Sequence, residues 1–152
     1  RGAEAEAALQ RARTGGCIAS AALACGIAAA SHRLSLAHAG ERIAFGKPLL
    51  ALQAVQYKLV EMRRRIVGAR HLTYHAARLL DLGEDATEAA MLAKIDAVDA
   101  AILAGDEGVQ IHGGYGYVVE YHVERHYRDA KTLEVLDDGV DALRDRLAAL
   151  AP

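Results

Sequence analysis

Apolar residues recur along this chain every three to four positions and almost nowhere in strict alternation. That spacing belongs to helices with one buried face. From about Ala5 to Ala39, the residues Ile18, Ala21, Ala22, Cys25, Ala28, Ala29, His32 and Leu36 share such a face. Gly15-Gly16 weakens or bends this first helix, and Gly40 or the turn after it is the stop. Pro48 suits the first turn of a second helix, where its missing N–H costs little. That helix runs to about Leu82, roughly 50 Å, with Leu52, Val55, Leu59, Met62 and Ile66 as its stripe.

Asp81-Leu82-Gly83-Glu84-Asp85 reads as a turn, with Asp85 or Thr87 capping a third helix to about Val109. Its core face is expected at Leu92, Ile95, Val98 and Ile102. Gly113 to Tyr117 breaks regular structure. A short helix from about His122 to Leu133 follows, then a turn near Asp137–Gly139 and a last helix to Leu150. No strand pattern competes. The expected fold is all-α, an antiparallel up-and-down four-helix bundle, as one domain over residues 1–152.

Composition narrows the function. Apolar residues make up 53% and charged residues 25%, which suits a packed globule rather than a disordered chain. The formal charge of -2 leaves no basic excess for a nucleic-acid partner. No apolar run reads as long and charge-free enough to span a bilayer, so no membrane partner is expected. The residues before Arg11 are acidic and alanine-rich, unlike a signal peptide. The start at Arg1, without Met, points to a piece of something longer. On one helix Cys17 and Cys25 stand ~12 Å apart, too far for a disulfide. They read as small buried hydrophobes in a reducing, cytoplasmic compartment.

Several side chains could carry chemistry. Di-iron bundles need Glu-x-x-His, and none of the seven histidines has Glu three residues before it. His71 and His75, and likewise His122 and His126, are one helical turn apart and could share a metal. No convergent carboxylate stands out on the face of His71 and His75, the His122–His126 segment is explained better by the resemblance given below, and we expect no metal. Arg63-Arg64-Arg65 reads as solvated charge with an intrahelical or intersubunit role. Arg42 stands before Phe45-Gly46 and could place a fork of donors on a pyrophosphate, or form a surface pair with Glu41. Gly113-Gly114 could let backbone N–H groups approach a ligand, or simply stop a helix.

Three runs decide between these readings. Arg42-Ile43-Ala44-Phe45-Gly46-Lys47-Pro48, then Gln53, precedes Gln110-Ile111-His112-Gly113-Gly114-Tyr115-Gly116-Tyr117 and Arg128-Asp129-Ala130-Lys131. In this order and spacing the chain resembles the C-terminal helical domain of the acyl-CoA dehydrogenase family, over about residues 14 to 150. The resemblance implies FAD as cofactor. It implies contacts to FAD across a subunit interface from Arg42, Phe45, Gln53, Gln110, Gly113 and Gly114. It implies an acyl-CoA or acyl-carrier thioester substrate, a homodimer or homotetramer, and an electron-transfer flavoprotein as possible partner. Arg128-Asp129 reads as an ion pair fixing the last helices. Ala44 stands where many members carry a polar side chain.

The catalytic base is where the chain departs from the pattern. The family's Tyr-Glu-Gly-Thr falls, without gaps, on Leu136-Asp137-Asp138-Gly139, so Asp137 takes the base position. A one-residue insertion gives it to Asp138 instead. Either carboxylate is one methylene shorter than Glu, and both also suit a helix cap. Branches with the base on the first helix have their counterpart near Gly16, which carries no carboxylate. The resemblance therefore leaves open a dehydrogenase, an oxidase or N-hydroxylase, and a non-catalytic oligomerisation or nucleotide-contact module. The family's N-terminal helical and middle β domains are absent, so the chain alone is expected to be inactive.

Overall fold

The structure is a computed structural model that describes residues 2–150. Helix α1 spans Gly2–Glu41 and passes through Gly15 and Gly16 without a break. Helix α2 spans Gln53–Asp81, α3 Thr87–His112, α4 Val123–Val135 and α5 Val140–Leu150. This is the expected all-α bundle, with α3 packed against α1, α2 and α4.

One expectation about the backbone is corrected. A two-strand hairpin exists, β1 (Ile43–Ala44) against β2 (Lys47–Pro48), antiparallel with Ile43 opposite Pro48. Its turn residues Phe45 and Gly46 have φ of 52° and 75°, both left-handed, as a two-residue hairpin requires. Pro48 thus belongs to the hairpin, with ψ of 144°, and does not open α2. A single 3-10 turn, Leu49–Ala51, intervenes. The α2 stripe holds at Leu59, Met62 and Ile66, which are buried, and Ala69, Thr73 and Ala76 continue it; Leu52, just before the helix, and Val55 are half-buried. The turn into α3 is a left-handed glycine cap, with Gly83 at φ 74°. The Glu84 N–H returns to the Leu79 carbonyl and the Gly83 N–H to that of Leu80. Asp85, rather than Thr87, supplies the cap of α3, its Oδ1 accepting the Thr87 N–H at 2.9 Å.

The core is made of small residues, and this shifts two expected faces. In α3, Val98 is buried as expected, but Leu92 is exposed and Ile95 and Ile102 are only half-buried. The inward positions are Ala90, Ala93, Ala97, Ala101 and Ala104. In α1, Ala22 and Leu36 face outward, while Ser20, Ser31 and Ser35 are buried. The Ser31 hydroxyl donates to the Ala104 carbonyl at 2.7 Å, across the α1–α3 contact. The reason is close approach. A Cβ on Gly108 would lie 2.5 Å from Ser31 Oγ and 2.6 Å from Val123 Cγ2. One on Gly105 would lie 2.8 Å from Tyr127 Cα. Only small side chains fit such spacing, so the larger ones are turned outward.

The reading of the apolar run in α1 is also corrected, by length and composition alone. Between Arg13 and Arg33 the chain carries no formally charged residue, and α1 is long and apolar enough to cross a membrane by length and composition, at mean hydropathy 1.5. Alanine is what makes it so, and the same small residues make this stretch the wall against α3. Cys17 and Cys25 are buried free thiols, as read, and burial pushes both thiols above their ordinary value.

The packing yields a paired test. Gly105→Ala should destabilise the purified chain by about 1–3 kcal/mol through overpacking, despite the better helix propensity of alanine. Gly26→Ala, where a Cβ meets nothing within 4 Å, should stabilise it by about 0.5–1 kcal/mol. Urea denaturation reads both, and equal signs would refute the close-approach account.

Candidate functional site

Two cavities hold most of the candidate residues, one at the C-terminal end of α1 and one beside its N-terminal half. The first is a cleft of about 500 Å³ between the end of α1, the 3-10 turn after the hairpin and the end of α3. Arg42, Gly113 and Gly114 line it together, with His38, His112 and Tyr115. Among the described residues Arg42 has no carboxylate within ion-pair distance, so the surface pair with Glu41 does not form. Its guanidinium lies instead 5.8 Å from the centroid of the Tyr115 ring, a cation–π geometry that leaves donors free.

Behind Arg42 stands a stack that sequence reasoning missed. His38 lies on His112 with ring centroids 4.3 Å apart. Tyr121 meets both edge-on and stacks on Tyr115 at 5.0 Å. His112 Nδ1 is 2.7 Å from the Gly108 carbonyl, so that nitrogen carries the proton and donates. Burial pushes His38 below its usual 6.5, and the neighbouring His112 and Arg42 push the same way. The available signal was position: His38 is one turn before Arg42, and His112 and Tyr115 lie within the glycine run.

Gly113 adopts φ 59° and ψ -134°, which a residue with a Cβ rarely adopts. It donates its own N–H to the Gln110 carbonyl and so closes α3. That amide is therefore not free for a ligand, contrary to the simplest reading of the pair. A Cβ on Gly113 or Gly114 would meet nothing within 4 Å, so both faces are open to the cleft. Both helices bordering the cleft end there at their C-termini, whose dipoles disfavour an anion. Among the residues lining the cleft, Arg42 is the one permanent cation.

The other three candidates do not line this cleft. Phe45 projects from the hairpin tip at 91% exposure. A bulky residue held left-handed and solvent-facing is a strained choice that points to use at a contact. Gln53 begins α2, exposed, with its amide donating to the Tyr57 hydroxyl at 3.1 Å. Gln110 is exposed on the last turn of α3.

The second cavity, about 320 Å³, is lined by Ala12, Arg13, Gly16, Cys17, Asp137 and Asp138. Both places that the sequence offers for a base, the aspartate loop and Gly16, therefore face one space. Asp138 Oδ2 is paired with Arg146 Nη1 at 2.8 Å. Asp137 is exposed at φ 55°, and its Oδ2 accepts a long bond from the Ser20 hydroxyl at 3.4 Å. Lys94, invisible as a candidate in sequence, is wholly buried beneath this loop. The two cavities lie about 39 Å apart along the α1 axis, from the helical rise between Gly16 and Arg42.

The remaining charges are structural. Arg128 pairs with Glu124 at 2.7 Å, not with Asp129, which corrects the expected ion pair: one turn of α4 separates the true partners. Arg64 and Arg65 both bind Glu61 and hold its carboxyl down to about 2. Lys58 of α2 pairs with Glu107 of α3. His71 and His75 are exposed, and no cluster of three metal-ligating side chains forms among the described residues.

A helical bundle with an arginine–glycine cleft at the C-terminal end of α1 and a cavity under an aspartate loop beside its N-terminal half defines the class: an all-α domain, with five α-helices among the described residues. The chain matches the family described as acyl-CoA dehydrogenase, C-terminal domain, over residues 5–149. It belongs to that family. It is 44% identical over 117 residues to an acyl-CoA dehydrogenase of Bacillus subtilis (strain 168), covering 77% of this chain and 31% of that protein. It is 43% identical over 123 residues to the short-chain specific acyl-CoA dehydrogenase of Megasphaera elsdenii, covering 81% and 32%. The solved butyryl-CoA dehydrogenase of Megasphaera elsdenii superposes with TM-score 0.87 at 39% identity, covering 91% of this chain and 37% of that one. The chain thus spans about a third of the length of these relatives.

Burial also sets a pH dependence. His32, His38 and His126 are all held below 6.5, chiefly by burial. The unfolded chain binds their protons first, so their share of stability is present above about pH 6.5 and is lost as pH falls. Glu61, held near 2, loses its share only below 4.5 and does not interfere. The melting temperature of the purified chain should therefore fall between about pH 7 and pH 5; a flat profile there would refute the burial of these rings.

Proposed function

We propose that this chain is the C-terminal helical part of an FAD-dependent oxidoreductase that acts on CH–CH bonds of acyl thioesters, within a homodimer or homotetramer. The observation that carries the reading is the distance between its two sites. Arg42 and the Asp137 loop are fixed about 39 Å apart on one continuous helix. A cofactor gripped at the arginine cleft of one subunit is then poised to serve the aspartate cavity of another.

The residues present fit FAD. The unpaired Arg42 fork suits a pyrophosphate, and the open faces of Gly113 and Gly114 admit close approach. Phe45, Gln53 and Gln110, exposed around the cleft, would meet the adenosine half from outside it. When bound, FAD supplies the hydride acceptor. Asp137 accepts the proton from the acyl α-carbon as the hydride leaves Cβ, so two hydrogens leave the substrate as H⁺ and H⁻. Asp138 is the weaker candidate because Arg146 holds its carboxylate. Substrates are acyl-CoA or acyl-carrier thioesters, and an electron-transferring flavoprotein is the expected oxidant.

A non-catalytic module is the second reading. It is favoured by the engagement of both aspartates, Asp138 with Arg146 and Asp137 with Ser20. Two variants of the complete enzyme separate the readings. Arg42→Ala should weaken FAD binding about 10- to 100-fold, by the worth of a charge-assisted bond; unchanged affinity in a fluorescence titration would sink the nucleotide role. Asp137→Asn should lower kcat by about 10²–10⁴ with FAD still bound; full turnover would favour the module.

A further inference from the structure

The geometry points to Lys94 as the positioning residue that holds Asp137 toward the second cavity. Lys94 lies in the first third of α3 at 0% exposure and is the largest fully buried side chain among the described residues. An ammonium in a core of alanines is costly unless its protons are used. Nζ donates to the Leu136 carbonyl at 2.7 Å and to the Asp138 carbonyl at 2.9 Å. These are the residues on either side of Asp137. Two carbonyls therefore turn inward around one cation, and the residue between them is forced out.

The backbone of Asp137 records the constraint. Its φ of 55° is left-handed, a conformation that aspartate tolerates better than most residues and that fits a carbonyl held inward on either side of it. The restraint is asymmetric. Asp138 is held twice, through its carbonyl by Lys94 and through its carboxylate by Arg146 of α5. Among the described residues, the Asp137 carboxylate keeps only the long contact to Ser20. The loop thus fixes the backbone tightly and leaves one carboxylate facing the space shared with Gly16 and Cys17. The shorter reach of aspartate makes such fixation necessary, because placement of the base depends on the backbone rather than on side-chain rotamers.

This inference rests on the reading of Asp137 as the base, and the test keeps the two apart. The complete, FAD-loaded enzyme is assayed with butyryl-CoA and octanoyl-CoA as probes. Turnover of neither by the unaltered enzyme removes the proposed activity before any variant is made. Full turnover by Asp137→Asn removes the base assignment, and the role of Lys94 with it. Given an impaired Asp137→Asn, the variants Lys94→Met and Lys94→Gln decide. Positioning predicts that kcat falls about 100-fold while KM, FAD content and melting temperature hold. It also predicts little further loss when Lys94→Met is added to Asp137→Asn, because both act on one step. Unchanged kcat in either folded variant overturns the inference. So does a loss that tracks melting temperature and FAD content in both variants, which would mark Lys94 as core support alone. An equal loss in the Asp137→Asn background overturns it too.

Discussion

The close approach of α3 to its neighbours is the constraint on which the rest of the structure depends. At Gly105 and Gly108 no Cβ can be added without meeting backbone or side-chain atoms of α1 and α4. Around them the inward surface is alanine, serine and glycine. Dense packing of small groups recovers dispersion contacts that large side chains would otherwise supply. It buries little apolar area per residue, however, and drives large side chains outward. Leu23, Tyr57, Val60, Tyr74 and Leu92 are exposed for this reason. Surfaces of this kind suit a domain whose outer faces meet other protein, in keeping with a chain that spans about a third of the length of its relatives.

The same packing fixes the functional geometry. Helix α1 is one uninterrupted rod because α3 supports it along its length, through contacts such as Ser31 to the Ala104 carbonyl. It therefore sets the separation of the arginine cleft from the aspartate cavity. At the far end of α3, the Gly116 backbone folds so tightly over Val109 that a Cβ there would lie 2.5 Å from its carbonyl oxygen. That fold-back places Tyr115 under Arg42. The arginine is thus oriented by an aromatic face rather than neutralised by a carboxylate, which keeps its charge available where two helix C-termini would otherwise repel an anion.

Much of this was legible in the sequence, and the misses have physical causes. Helix number, the turn at Gly83, the α2 stripe and the Arg42–Gly113–Gly114 grouping follow from periodicity, glycine placement and resemblance. The α3 face departs from its hydrophobic pattern because in a close-packed bundle size decides burial, and Leu92 yields to Ala93 and Ala97. The hairpin escaped notice because two-residue strands have no period, although Phe45-Gly46 before Pro48 marked a turn. Arg128 and Asp129 are adjacent in sequence, but neighbours one apart on a helix do not face each other, whereas Glu124 lies one turn away. His38 and Tyr121 reach their stack only through tertiary contact.

Lys94 is the sharpest of these cases, since nothing in the pattern around it separates it from a surface lysine. Its neighbours Ala93 and Ile95 give no hint of a buried cation, and its partners are backbone carbonyls, which carry no sequence signature. A buried ion is weak evidence for stability, because a well-packed apolar side chain would do as well or better. What an apolar residue cannot do is gather two carbonyls from a loop more than forty residues away in sequence. The charge is therefore best explained by what it specifies, the path of residues 136–138, and not by what it adds to the folding free energy. On that argument the core of α3 serves two purposes at once. Its alanines set how near the helices come, and its one lysine sets where the loop between α4 and α5 must lie.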